Sequence, residues 1–412
     1  MDVLVERCAG LDVHQATVTA CVRVPGAAGE RAQVIQTFGT TTPDLLALRD
    51  WLTAYQVTHV AMESTGVYWK PVYYALEDGF RLLLVNAAHM ANVPGRKTDV
   101  ADCAWIGQLL ECGLLRGSFV PPPPIRELRD LTRYRKALLQ DRTREANRLH
   151  KILQDAGIKL ATVATDILGV SGRAMLTALV RGTTDPTVLA DLARGRLRSK
   201  LPALRQALTG RFRGHHAFLV TQLLAHLDYL DETITALSAE IEGRLAPFAA
   251  AHARVQTIPG VKRRTAENLL AEVGVDMGHF PTAGNLTSWG GICPGNNETA
   301  GKRRRGRTRK GNRWLKTTLL EAALAAIRVK GSALGARYRR ICRHRGHKIA
   351  IVAIAHAILE IVWHILAKGT TYRELGADYL DRRDNEHATR RYVRLLEKLG
   401  HRVTLDPAPV AA

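Results

Sequence analysis

Four acids carry the chemistry this chain can do. Asp12 lies in "GLDVHQ", Glu63 in "AMESTG", and Asp99 and Asp102 stand three residues apart in "GRKTDVADCAWIGQLL". The first two end strand-like runs; the last two open a helix-like run after the strand-like "RLLLVNA". In a parallel-type sheet, strand ends on one edge gather into one crevice. Residues i and i+3 share a helix face. Carboxylates drawn together raise one another's proton affinity unless cations neutralise them. Oxygen-only donors suit Mg²⁺ or Mn²⁺, and paired ions of this kind serve phosphodiester chemistry. Taken singly, each acid reads as a turn residue or a helix N-terminal acid worth a few tenths of a kcal/mol. Taken together, on a chain of formal net charge +21, they read as a metal site. Arg96 and Lys97, directly upstream of Asp99, suit a phosphate bound there.

The elements that must position these acids are legible in outline. "CAGLDVH", "ATVTACVRV" and "AQVIQTFGTT" are β-rich runs. A helix follows in "TPDLLALRDWLTAYQ", with Thr42 or Asp44 near its start. Then come a strand in "HVAMEST", a helix in "VYWKPVYYALEDGF", the strand "RLLLVNA" and the helix that Asp99 and Asp102 open. That order is the one a ribonuclease-H-like α/β domain requires. "PPPP" at 121–124 is a stiff break. Beyond it, one long helix carries Leu128, Leu131, Leu138, Leu149, Ile152 and Leu153 on one face. A second, over roughly 214–246, carries Leu223, Leu227, Leu230, Ile234, Leu237 and Ile241, a spacing that fits an antiparallel helical hairpin or an oligomerising coiled coil. The basic stretch "RGTTDPTVLADLARGRLRSK" between them has no clear pattern. The expected domains are 1–120, 121–250, a mostly helical 251–385 and a tail, 386–412.

At 412 residues and 46% hydrophobic content, the chain has material for two or three packed domains. A sequence pI near 10.1 favours a polyanionic partner, nucleic acid above all. The six cysteines form no CxxC pair, which argues against a zinc ribbon, and the start lacks the apolar run of a secretory signal. "IAIVAIAHAILEIVWHILA" carries His356, Glu360 and His364 and reads as a buried helix rather than a membrane span. His344, His347, His356 and His364 lack the acid or cysteine that would complete a zinc site. No GxxxxGK[ST] run for a nucleotide triphosphate occurs.

The carboxy-terminal half adds two nucleic-acid features. "VQTIPGVKRRTAENLLAEVG" has the form of a helix-hairpin-helix, with Pro259 and Gly260 in the turn and Lys262 where glycine is usual. Such a turn offers backbone N–H groups to a phosphate; its bland alternative is a plain helical turn. Further on, Lys302, Arg303, Arg304, Arg305, Arg307, Arg309, Lys310 and Arg313 are interrupted by Gly301, Gly306 and Gly311. Arginine forks match phosphate and glycine lets a backbone approach a strand. A solvated basic loop is the alternative.

"GLDVHQ", "ESTGVYWKPVYYAL", "VPGRKTDVADCAWIGQLL" and "IRELRDLTRYR" resemble the DEDD transposases of insertion sequences, the family that includes bridge-RNA-guided recombinases. The resemblance covers most of residues 5–375. It implies a RuvC-like, ribonuclease-H-fold amino-terminal domain whose Asp, Glu, Asp and Asp bind Mg²⁺, roles that fall on Asp12, Glu63, Asp99 and Asp102. It also implies a carboxy-terminal transposase domain whose serine attacks the DNA phosphate. Aligned on "CPGNN" and "AGK", that position holds Thr299, a departure: the β-branched hydroxyl is stiffer and more hindered. Ser288, in "LTSWGG", is the nearest substitute. Either hydroxyl needs help at neutral pH that metals held by the other domain could supply, which would make the active site composite. The resemblance further implies a guide RNA from the element itself and a homo-oligomer of tetramer type; a cytoplasmic, nucleoid-associated location without a membrane role is expected. Two rivals remain: a RuvC-like junction resolvase that uses water in place of Thr299, and an inactive nucleic-acid-binding relic.

Overall fold

A computed structural model describes residues 3–26, 30–86, 102–294, 298–299, 301–303 and 308–405. Arg96, Lys97, Asp99, Arg304, Arg305 and Arg307 lie outside the described residues. The chain divides into two compact units, Met1–Val120 and Pro121–Ala412.

The first unit is a five-stranded mixed sheet. β1 (Cys8–Val13), β2 (Thr17–Pro25) and β3 (Arg31–Gly39) run antiparallel to one another, and β1, β4 (His59–Glu63) and β5 (Arg81–Val85) run parallel, in the order β3-β2-β1-β4-β5. The run-by-run expectation of strands and helices matches this order, with α1 (Thr42–Ala54) and α2 (Trp69–Leu76) in the expected gaps. Thr41 is the N-cap of α1. The middles of the central strands, Ala9–Leu11 and Val60–Met62, are apolar on both faces because both faces are covered, as in parallel sheets generally. On one face Ala9, Leu11, Val13, Val60 and Met62 pack on Leu45, Leu48 and Leu52 of α1 and Val72 and Leu76 of α2. On the other, Cys8, Ala61 and Val85 meet Ile106, Leu109 and Leu110 of α3 (Asp102–Glu111).

α3 lies unusually close to β1, because neither contact residue has a side chain. A Cβ at Gly10 would fall 2.1 Å from the Cys103 carbonyl oxygen and 2.3 Å from the Gly107 nitrogen. The far end of α3 is pinned by Glu111, 2% exposed, whose carboxylate meets Arg23 Nε at 2.6 Å and also contacts Arg31 Nε. Its carbonyl accepts the N–H groups of Leu4 and Val5.

The second unit is helical. α4 (Pro123–Asp155) begins inside the proline run, and α9 (Gly214–Leu245) returns antiparallel to it. Arg142 to Asp231, His226 to Glu145 and His216 to Asp155 mark the register, and Leu138 packs on Leu230 and Ile234. Along α9 the buried position is Leu224, with Leu223 only half-buried, since the stripe must drift to follow α4. The segment around the basic stretch folds as four short helices, α5 (Leu160–Val163), α6 (Val170–Val180), α7 (Pro186–Asp191) and α8 (Leu201–Leu208); the stretch itself supplies α7 and a 3₁₀ turn, Gly195–Lys200. They close an apolar cluster with Leu149, Leu153, Val220 and Leu227.

Then follow α10 (Ala249–Val255), α11 (Arg263–Val273), α12 (Ala283–Trp289), the two-residue strands β6 (Glu298–Thr299) and β7 (Lys302–Arg303), α13 (Arg313–Ala326), α14 (Ala333–Arg345), α15 (His347–Lys368) and α16 (Tyr379–Lys398). Among the described residues α15 alone is long and apolar enough to cross a membrane. Its Ala350, Ile354, Ala355, Ile358 and Val362 are nevertheless buried, and the helix packs on α12, α13 and α14.

Candidate active site

Strand periodicity decides which acids meet. Leu11 pairs with Met62 across the parallel ladder, so Asp12 and Glu63 come next on neighbouring strands, about 4.8 Å apart. By the two-residue alternation Asp12 shares the face of Cys8 and Gly10, and Glu63 that of Ala61, which is the face α3 covers. Both carboxylates are half-buried at the sheet's edge. His14 Nε2 lies 3.3 Å from Asp12 Oδ2.

α3 brings the third acid. Because Gly107 lies beside Cys8 and Cys103 beside Gly10, the helix runs opposite to β1 and its first residue, Asp102, comes to the end where Asp12 stands. The Cys103 thiol is pushed up chiefly by burial, and the Asp12 carboxylate adds to the rise. The helix N-terminus carries partial positive charge toward these acids. Asp102 is exposed. Asp12, Glu63 and Asp102 offer carboxylate oxygens toward this end of the sheet, with the His14 imidazole beside Asp12, and oxygen donors of this kind suit Mg²⁺ or Mn²⁺.

The second candidate element is a hairpin. Gly291 and Gly311 touch backbone to backbone: a Cβ on Gly311 would lie 2.6 Å from the Gly291 Cα. Pro294 bridges Thr308, Glu298 pairs with Arg303, and Thr299 with Lys302, all antiparallel. Thr299 therefore ends one described arm and Lys302 begins the other, and Gly301 beside it has φ +74°, a conformation glycine favours. The base of the hairpin is firmly held. Asn312 accepts the N–H groups of Trp314 and Leu315, capping α13, and donates to Glu272 at 2.5 Å. Glu272, 2% exposed, also receives both arms of Arg133 at 2.7 and 2.8 Å. Lys316 donates to Thr308 Oγ1 at 2.8 Å. Sequence reasoning missed this anchor, although an Asn directly before a helix is a readable cap.

Other sequence candidates fall as follows. Arg309, Lys310 and Arg313 are exposed, Arg313 standing 4.8 Å over the Trp314 ring. Lys262 is the exposed N-cap position of α11. Gly260, at φ +81°, has a reason of its own: a Cβ there would meet the Ala322 carbonyl at 2.4 Å, so the turn packs directly on α13. Ser288 lies in α12, beside the buried Thr287. His356 faces Glu360 at 3.3 Å.

One histidine cluster was not anticipated. Asp155, His215 and His216 offer ligand atoms within 4.8 Å of one another. The backbone N–H of Arg213 donates to His216 Nδ1, so Nε2 carries the proton and donates to Asp155 at 2.9 Å. A metal at Nε2 would force that proton onto Nδ1, against a donor. The cluster serves as the cap that starts α9.

Comparison with known proteins settles the class. A family model described as "Transposase", of the DEDD type, matches residues 9–158, and one described as "Transposase IS116/IS110/IS902 family" matches residues 252–339. The chain is a transposase, an enzyme that cleaves and recombines DNA. Within that class it belongs to the IS110/IS116/IS902 family of insertion-sequence transposases. It is 26% identical to a Pseudomonas aeruginosa protein named "Probable family 20 transposase", over 79% of this chain and 89% of that one. It is also 26% identical to the transposase for insertion sequence element IS1111A of Coxiella burnetii, over 76% and 79% respectively.

Proposed function

We propose that the chain cleaves and rejoins DNA with Asp12, Glu63, Asp99 and Asp102 holding Mg²⁺ at the scissile phosphate. The observation that carries this is the placement of Asp12 and Glu63 side by side on β1 and β4, under the end of α3 that begins with Asp102. Mg²⁺, when bound, supplies charge to the phosphate oxygens and lowers the pKa of a bound hydroxyl. The chain's own residues do the rest. Thr299, at the hairpin tip, offers the hydroxyl that attacks phosphorus, displacing a strand's oxygen and forming a protein–DNA ester. The proton that leaves the Thr299 hydroxyl ends on the displaced strand oxygen, which departs as a hydroxyl, and reversal onto a new strand end conserves the bond, so no nucleotide triphosphate is spent. Arg96, Lys97, Lys262 and the bases from Lys302 to Arg313 hold phosphates, whereas Gly260 serves the packing of its turn on α13.

The β3-β2-β1-β4-β5 order supports a ribonuclease-H-like, RuvC-type domain over 1–120. The antiparallel α4–α9 pair supports a coiled-coil region over 121–250. The turn between α10 and α11 supports a helix-hairpin-helix in the transposase domain, 251–385. A guide RNA, a homotetramer and a place at the cytoplasmic nucleoid complete the proposal.

The test is to trap the protein–DNA ester on a nicked substrate with Mg²⁺ and map it by mass spectrometry. An adduct on Thr299, lost in Asp12→Asn, is the expected result. Metal-dependent cutting without an adduct would point to a resolvase that uses water, and no chemistry at all to a relic.

A further inference from the structure

Between α14, α15 and the segment leading into α16 lies a cavity of about 670 Å³ that the strand-transfer chemistry does not use. That volume is in the range of small-ligand sites. Leu334 and Ile341 of α14 and Ile361 and Ile365 of α15 give it hydrocarbon walls, and Tyr372 adds an aromatic ring. Two cations stand at it from different elements, Arg337 on α14 and Arg373 on the connecting segment. Among the described residues neither has an ion-pair or hydrogen-bond partner, whereas Arg340 and Arg383, also at the cavity, are both tied to Asp384. Glu360, the acid that lines it, is faced by His356.

The connecting segment is built in rather than draped. The Tyr372 N–H donates to Thr257 Oγ1 at 2.9 Å, and Glu374 Oε1 accepts the N–H groups of Ala333 at 2.8 Å and Gly376 at 3.0 Å. The wall that carries Arg373 is therefore fixed to the first turn of α14 and the end of α10.

We propose that this cavity takes one unstacked nucleotide of a single-stranded stretch of nucleic acid, its base among Leu334, Ile341, Ile361 and Tyr372 and its phosphate on Arg337 and Arg373. An apolar ligand would leave two guanidinium groups without a counterion, and paired duplex would offer phosphates but nothing for the hydrocarbon walls. A nucleotide satisfies both, because the guanidinium fork fits phosphate and every base has an apolar face. This deepens the nucleic-acid reading of the chain and rests on it: strand exchange leaves unpaired stretches that must be held.

The experiment measures binding of the full chain by fluorescence anisotropy to three probes: a short single-stranded DNA, the same strand with consecutive abasic sites, and the duplex. Wild type is expected to hold the intact strand about tenfold tighter than the abasic strand of equal charge. Ile361→Trp, which fills the cavity, and the pair Arg337→Gln with Arg373→Gln should each abolish that preference and leave duplex binding unchanged. The arginine pair keeps the test valid if Ile361→Trp lowers the thermal midpoint. An RNA strand of the same sequence identifies which sugar the site prefers, and either preference, if lost in both variants, supports the site. Equal affinity of wild type for intact and abasic strands, or a preference that survives both variants, overturns it. Failure of wild type to bind duplex would instead strike the nucleic-acid reading itself.

Discussion

Replacing Gly10 with alanine tests how the acids are brought together. The new methyl would sit 2.1 Å from the Cys103 carbonyl oxygen and 2.3 Å from the Gly107 nitrogen, both backbone atoms of α3. Restoring ordinary contact, 3.4 Å, requires the helix to retreat by about 1.3 Å. No flexible side chain can absorb the clash, and Glu111 ties the other end of α3 to Arg23 and Arg31, so the displacement falls on the end that carries Asp102. Overpacking of this kind costs about 1–3 kcal/mol, and a rigid backbone contact belongs at the upper end. A misplacement near 1 Å also costs on the order of 10²-fold in rate. Urea unfolding followed by hydrogen exchange in peptides from β1 and α3 reads the first effect, and Mg²⁺-dependent DNA cleavage reads the second. Gly79→Ala is the control, since nothing lies within 4 Å of its added methyl. A Gly10→Ala protein within about 0.5 kcal/mol of wild type, with undiminished cleavage, would refute the reasoning.

Three more outcomes are expected. Arg135 and Glu267, 2% and 1% exposed, lie 2.6 Å apart between α4 and α11, so Glu267→Ala should cost about 3–5 kcal/mol by denaturant unfolding, while Arg135→Met with Glu267→Leu restores most of it. Burial pushes the Cys8 and Cys21 thiols up to about 11 and about 12 from an ordinary 9.0. Because the folded state holds those protons more tightly, their contribution to stability is complete below pH 9 and lost as pH climbs toward 11–12, which a pH series of melting curves should show; at pH 8 both should resist iodoacetamide. Thr299→Ser should keep or raise recombination, because the unbranched hydroxyl is less hindered, and abolished activity would mean the attacking residue lies elsewhere.

Much of the fold could be read along the chain because the first unit obeys simple periodicities. Strand runs such as "RLLLVNA" are apolar on both faces, and the alternation in "GLDV" and "AMES" already puts Asp12 and Glu63 on one side once β1 and β4 are neighbours. What could not be read is proximity that depends on missing atoms. Gly10 and Gly107 look like any glycines until the helix is laid on the strand. Gly260 suggested close approach of a phosphate, whereas the space beside it is filled by the α13 backbone. The basic stretch 181–200 defeated pattern reading because it folds as a six-residue helix, α7, and a 3₁₀ turn, Gly195–Lys200, both too short to show a period. Even there "TTDPTVLAD" held a usable signal: Asp185 caps α7 by accepting the Thr187 N–H at 2.8 Å, with Pro186 in the first turn. His216 gave no local signal, since the Asp155 it meets lies 61 residues away in the chain.

The most direct measurement is Mn²⁺ binding by electron paramagnetic resonance to wild type and to Asp12→Asn with Glu63→Gln. Wild type should take up the ion, and the double variant, still folded by circular dichroism, should bind it at least about tenfold more weakly, as expected when two charged oxygen donors are lost from one site. Identical titration curves for the two proteins would contradict the claim that these carboxylates share a cation.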